Sequence, residues 1–361
     1  MSGNLFPKED AGIDDGRNID LAIGTLSGEG ASQLAHPKTQ PRQGSKALWS
    51  RLPESSKADP TYYDWPMLKE PVWKWEIPLY YYLGGLAGTS LALAAAAQLN
   101  RSGGLEDLIG QCRWIGIAGV TAGGMCLIRD LGRPSLFLNM LRVFRPTSPM
   151  NMGAWILSGA GATTFTALAL SRARGALGSA GECSGYLAGI FGMGLASYTG
   201  VLVGNSVIPV WQESRKVLPI LFAASGVTST ASMLEILRED RPSRRVTYIF
   251  GLGGRIAELA AIKAMERQAG AVSRVARPLK KGKSGLIWRA ATIVTGASLA
   301  MMLLPKQTRR KRVVSGILGT AGSLMMRYAI NEAGTPSAQD PRASFYQQRG
   351  RLAAKETGTT E

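Results

Sequence analysis

The sequence predicts an all-α polytopic membrane protein with eight transmembrane helices, and three observations carry that prediction. Between residues 77 and 330 apolar runs of about 20 residues follow one another, each long enough to cross a hydrocarbon core as a helix. The cations between them gather in short clusters at residues 238–245, 274–283 and 306–312, the spacing of headgroup-level loops. Both flanks are polar, so the mean hydropathy of +0.02 averages a greasy middle with two water-seeking ends. The expected organisation is a flexible cytoplasmic arm over residues 1–75, a membrane domain over 76–331 and a polar tail over 332–361. The bilayer is the first partner this implies.

Composition excludes several classes. The net charge of +17 could suggest nucleic acid, but a groove that tracks phosphates needs cations along one face, not between apolar runs. Nucleic acid is therefore not an expected partner. Three cysteines, Cys112, Cys126 and Cys183, lie far apart in sequence, so no disulfide framework, zinc site or iron–sulfur cluster is expected. The single histidine, His36, sits in the polar arm, so no bundle haem with axial imidazoles is expected either. The first ten residues lack the basic start and apolar core of a cleaved signal, which leaves the first span as an uncleaved anchor.

Taken in order, the arm is broken by Gly28, Gly30, Pro37, Pro41 and Gly44. Tyr62, Tyr63, Trp65, Trp73 and Trp75 follow, as suits a chain at the membrane–water boundary or one packed on a soluble partner. Span one, residues 77–99, has no charge, and Gly84 and Gly88 four apart admit a close neighbour. Span two, 108–128, repeats that spacing with Gly119 and Gly123. Spans three and four cover 150–171 and 184–208, with Tyr198 deep in the latter. Spans five to eight cover 217–237, 246–264, 286–304 and 313–330 and carry charges: Glu235, then Arg255 with Glu258, then Arg289 and Arg327. Intramembrane charges are costly and mark polar pockets, proton routes or structural ion pairs. Arg255 and Glu258 are three apart and are expected to neutralise one another on one helix face; Arg327 and Arg289 are expected to snorkel to headgroups. Eight crossings put both ends of the chain on one side. Lys69 and Lys74 before the first span, against Arg101 after it, favour the cytoplasm.

Residues 129–155, joining spans two and three, are dense in fixed chemistry. Arg129, Arg133, Arg142 and Arg145 bring cations around one carboxylate, Asp130, while Pro134, Pro146 and Pro149 fix the chain path. Such a loop shapes a site or a docking surface, or anchors helix ends. Glu76, between Trp75 and the first span, could accept a proton or be an ordinary surface carboxylate, and the phenol of Tyr198 needs a hydrogen-bond partner. The Gly251-Leu-Gly-Gly-Arg-Ile256 run imitates a dinucleotide loop, but Ile256 fills the third glycine position and no βαβ unit follows.

Four stretches resemble the NrfD/polysulfide-reductase family of membrane subunits: Trp75-Glu-Ile-Pro-Leu-Tyr-Tyr-Tyr-Leu-Gly-Gly-Leu-Ala-Gly88; Arg129-Asp-Leu-Gly-Arg-Pro134 with Phe137-Leu-Asn-Met-Leu-Arg142; Arg145-Pro-Thr-Ser-Pro-Met150 with Gly153-Ala-Trp155; and Tyr198-Thr-Gly-Val-Leu-Val-Gly204 with Ile208-Pro-Val-Trp211. The similarity spans roughly residues 75–330. It implies two four-helix bundles in a bacterial cytoplasmic membrane and no haem. It also implies an exchangeable menaquinone or ubiquinone, a ferredoxin-like iron–sulfur partner and a molybdopterin-type catalytic subunit. Carried over by motif, the quinone site would use Tyr198, Glu76, Tyr81, Asp130 and Arg133, with Tyr198, Asp130 and Glu76 handling protons. Some members place a histidine and an asparagine in the first helix; this helix has neither, and Glu76 stands as the substitute. Glu235, Arg255 and Glu258 are proton-route candidates. The competing expectations are a purely structural anchor and a proton- or ion-translocating protein.

Overall fold

The computed structural model describes residues 18–20, 25–27, 68–100, 104–131, 134–237 and 241–344, and the chain divides into two units at residue 64. In the first unit, β1 (Asn18–Asp20) pairs antiparallel with β2 (Thr25–Ser27), Ile19 opposite Leu26. The all-α expectation therefore needs one amendment outside the greasy region. Three-residue strands hold too little alternation to be read from sequence.

In the second unit, the described residues form eight long helices: α1 (Glu76–Leu99), α2 (Glu106–Asp130), α3 (Pro149–Ala169), α4 (Ala176–Gly204), α5 (Leu218–Ile236), α6 (Arg241–Gly270), α7 (Gly282–Leu303) and α8 (Arg309–Gln339). Short helical turns lie between them at Pro134–Leu141, Pro209–Glu213 and Arg277–Lys280. Five helices, α1, α4, α5, α7 and α8, are long and apolar enough to cross a membrane. The protein is thus a multi-pass membrane protein by length and composition. Helix α8 runs past residue 331, where the polar tail was expected to begin, with Pro336 inside its last turn.

Helix α1 packs on α2 and α4, and α3 on α4 and α2; α8 packs on α7 and α5, and α6 on α5 and α7. Helices α1, α4, α5 and α8 meet where these groups join. The expected small-residue spacing sets the closest approaches. A Cβ on Gly88 would overlap the Gly192 carbonyl of α4, and one on Gly119 would sit 2.9 Å from the Ala87 Cβ. Helix α1 is also tied to α5 by hydroxyls: Thr230 Oγ1 lies 2.7 Å from Thr89 Oγ1 and donates to the Leu86 carbonyl at 3.0 Å.

The connector before α3 is built from local chemistry. Ser148 caps α3 by accepting from the Asn151 amide, and Pro149 takes a first-turn position where its missing N–H costs nothing. The Asn151 side chain folds back, accepting from the Arg145 amide at 2.7 Å and donating to the Met140 and Val143 carbonyls at 2.7 and 2.9 Å. One amide therefore holds three points of the loop.

Candidate functional site: a tyrosine cluster beneath the connector

The start of α1 meets the ends of α2, α4 and α8. Glu76 is buried in the first turn of α1, and Arg129 donates to its Oε1 at 3.2 Å while lying 5.5 Å over the Trp75 ring. The second carboxylate oxygen, Oε2, is buried without a hydrogen-bond partner. Glu76 is therefore no ordinary surface carboxylate. Asp130 is exposed at the aqueous end of α2, beyond the expected span. Partial desolvation by its neighbours, then the negative charge of Glu76, raise its carboxyl above the ordinary carboxylate range, with Lys74 opposing. Arg133 lies outside the described residues, as do Tyr62, Tyr63 and Trp65 of the aromatic run.

One turn deeper, Tyr80 and Tyr81 are almost wholly buried, and both hydroxyls lack hydrogen-bond partners. Tyr198 comes in from α4 and lies near both. The Tyr80 hydroxyl faces that of Tyr198 without closing a well-formed hydrogen bond. Tyr80 rests on Gly123 of α2, and the Tyr198 phenol lies so tightly on Gly153 of α3 that a Cβ there would overlap it. Glycines of two neighbouring helices thus give these phenols their room. Tyr81 continues the cluster toward α5, its ring 5.7 Å from Phe222 and 6.3 Å, edge-on, from Trp73.

Trp73 is half-buried against the core. It stacks on Trp211 at 5.5 Å, and Trp211 donates from Nε1 to the Ile330 carbonyl at 2.8 Å, in space left by Gly334. Tyr328 of α8 donates to the Trp75 carbonyl at 3.1 Å. The segment entering α1 is thereby clamped to the end of α8.

The buried charges of the second half depart from their expected pairing. Arg255 pairs with Glu235 of α5 at 2.8 Å, not with Glu258. Its Nε donates to Ser298 Oγ at 2.8 Å, and the Nη2 that meets Glu235 also lies 3.2 Å from Ser232 Oγ and 3.3 Å from Ser315 Oγ. Glu258, fully buried, instead accepts from Ser323 at 3.3 Å to each oxygen. Arg327 does not snorkel. It is 1% exposed, donates to the Phe222 carbonyl at 2.7 Å, and sits 3.9 Å over the Phe222 ring, with Nε and Nη1 unpartnered. Arg289 does reach the surface, donating to the Lys280 carbonyl at 2.8 Å.

Residues 66–336 match the family model described as "Polysulphide reductase, NrfD". The chain belongs to the NrfD family. It is a membrane subunit of that family, and no curated protein matches it. Of the residues expected at the site, the structure brings Tyr198, Tyr81, Glu76 and Asp130 to one end of the NrfD domain, while Glu235 pairs with Arg255 and Glu258 meets Ser323 of α8. Sequence reasoning missed Tyr80, Gly153, Asn151 and Arg327. The triple tyrosine was visible in the sequence, but which phenol faces α4 depends on packing between helices. Among the described residues, no three His, Cys, Asp or Glu side chains gather as a metal site.

Proposed function

We propose that this NrfD subunit exchanges electrons between the membrane quinone pool and an iron–sulfur partner of a molybdenum- or tungsten-type oxidoreductase. All eight long helices then cross the bilayer, as two four-helix bundles, α1–α4 and α5–α8, in a bacterial cytoplasmic membrane with both ends cytoplasmic. On this reading the expected 76–331 membrane domain, with its last helix continuing to Gln339, lies between an N-terminal arm and a C-terminal tail. The family implies the partners: a ferredoxin-like subunit and a molybdopterin-type catalytic subunit, docked over the connector.

The observation that carries the reading is the set of buried, unpartnered polar atoms beneath that connector. A buried hydroxyl without a partner forgoes a hydrogen bond and is destabilising by about 1–3 kcal/mol. Tyr80, Tyr81 and the free oxygen of Glu76 do so together. The phenols, with Tyr198, offer donors to the carbonyl oxygens of a flat apolar molecule, and the Glu76 oxygen an acceptor for its hydroxyl form. A bound menaquinone or ubiquinone would supply two-electron chemistry coupled to two protons. Tyr198, Tyr80 and Tyr81 would hold its carbonyl oxygens. Glu76, fixed by Arg129, and Asp130 at the aqueous edge, beside Arg133 in the chain, would hand protons to and from water.

The test uses the intact complex. Tyr198→Phe and Asp130→Asn are each expected to lower turnover with a soluble quinone analogue while the soluble subunits remain bound. Unchanged turnover in both variants retires the site, and a complex in which no quinone analogue binds favours a structural anchor.

A second reading, proton translocation through α5–α8, is favoured by the buried ionisable side chains Glu235, Arg255, Glu258 and Arg327. Glu258 is held by a serine, a partner that suits either protonation state. Reconstituted vesicles with Glu258→Gln separate the readings: quinone turnover that persists while acidification stops supports a route, and unchanged acidification removes it.

A further inference from the structure

At the face opposite the tyrosines, a pocket of about 270 Å³ forms where α5 and α7 end and α6 and α8 begin. Arg241, Arg244 and Arg245 line it from the first turns of α6, Arg312 from the first turn of α8, and Tyr248 from the next turn of α6, with Glu235 also lining it. The helix ends around it are sorted by sign. The carbonyl ends of α5 and α7, which would repel an anion, are already occupied. Arg309 donates to the carbonyls of Glu235 at 2.8 Å and Leu237 at 2.7 Å, and to that of Ile236. Gln307 donates to those of Met302 and Leu304, both at 2.7 Å. Helices α6 and α8 present their N-terminal turns, where a helix favours negative charge. The carboxylate among the described lining residues, Glu235, is spent on Arg255. Arg241, Arg244 and Arg245, with Arg312 beside them, therefore line a cavity whose carboxylate among the described lining residues is paired with Arg255.

One side of this pocket is greasy. Tyr248 is 39% exposed, and below it Ile249 at 61% and Ile256 at 52% stand seven residues apart on one outward face of α6. With α6 crossing the bilayer, as proposed above, that stripe faces acyl chains. Cations at headgroup height with an exposed apolar track beneath match a molecule that is anionic at one end and hydrocarbon at the other.

We propose that this pocket binds the phosphate of an anionic phospholipid, with its acyl chains lying along Ile249 and Ile256. The site is separate from the tyrosine cluster and stands whatever that cluster does. A free phosphate shares the headgroup chemistry but would leave the apolar track unused.

The test titrates the purified full chain in neutral detergent with dioleoylphosphatidylglycerol, dioleoylphosphatidylcholine or inorganic phosphate. Binding is read by native mass spectrometry and by the thermal unfolding midpoint. The expected result is saturable binding and a raised midpoint with phosphatidylglycerol alone, and at least about tenfold weaker binding in the Arg241→Gln/Arg244→Gln/Arg245→Gln variant. Should that variant not fold, Arg245→Gln alone is expected to weaken binding several-fold. Equal binding of phosphatidylcholine, the same midpoint rise with inorganic phosphate, or phosphatidylglycerol binding unchanged by the substitutions overturns the proposal.

Discussion

Tyr198 reaches α3 because residue 153 has no side chain. The phenol occupies the volume a Cβ would take, so Gly153→Ala must push the ring off its seat beside Tyr80. Turnover with a quinone analogue is expected to fall about tenfold or more, a loss of roughly 1.4 kcal/mol of barrier lowering, with the complex still assembled. Turnover equal to the parent protein would show that the position of Tyr198 is immaterial. The Arg255–Glu235 pair makes a second residue-scale case. Breaking a buried pair on one side strands the other charge, so Glu235→Gln is expected to destabilise the domain by about 3–5 kcal/mol. The Glu235→Gln/Arg255→Met double variant should recover much of that, read as unfolding midpoints in detergent. The sequence showed that these residues are charged and lie within apolar runs. It did not show their pairing, because i,i+3 spacing describes one helix, whereas Glu235 arrives from the preceding one.

Among the elements, the connector shows most clearly what local chemistry can build. Its prolines announced a break between helices, and α3 begins at Pro149 with Ser148 as its cap. The agent that shapes the loop, Asn151, looked like one more polar residue in a first turn. Its role appears only when the Arg145 amide and the Met140 and Val143 carbonyls converge on it. Removing that side chain leaves groups to find water instead, at about 1–3 kcal/mol for each one that stays buried. Asn151→Ala is therefore expected to speed proteolytic cleavage within residues 141–148 by severalfold and to weaken docking of the iron–sulfur partner, with α1 and α2 unaffected. Cleavage at the parental rate would mean that the prolines alone hold the loop. The glycine spacings of α1 and α2 were legible for the opposite reason. A residue without a side chain has one plain use at a helix crossing, and Gly88 and Gly119 both serve it.

At the scale of the whole molecule, the question is how many of the eight helices cross. Five satisfy length and hydropathy; α2, α3 and α6 do not. Their sequences supply reasons. Helix α2 carries charges at both ends, α3 is rich in glycine, alanine and threonine, and α6 holds Arg255 and Glu258. Hydropathy averages count those charges as exposed to lipid, whereas the structure buries them among serines and Glu235, so the average understates how well α6 tolerates a bilayer. The two counts differ at an experiment. Between Lys216 and Arg310 lie α5, α6 and α7, which makes three crossings if all span and two if α6 does not. Lys216→Cys and Arg310→Cys, each in a background with Cys112, Cys126 and Cys183 replaced by alanine, can be treated in whole cells with a membrane-impermeant maleimide. With both ends of the chain in the cytoplasm, position 310 is expected to label in intact cells, and position 216 only after permeabilisation. Labelling of both from one side would take α6 out of the membrane, and with it the reading of Glu258 as an intramembrane carboxylate.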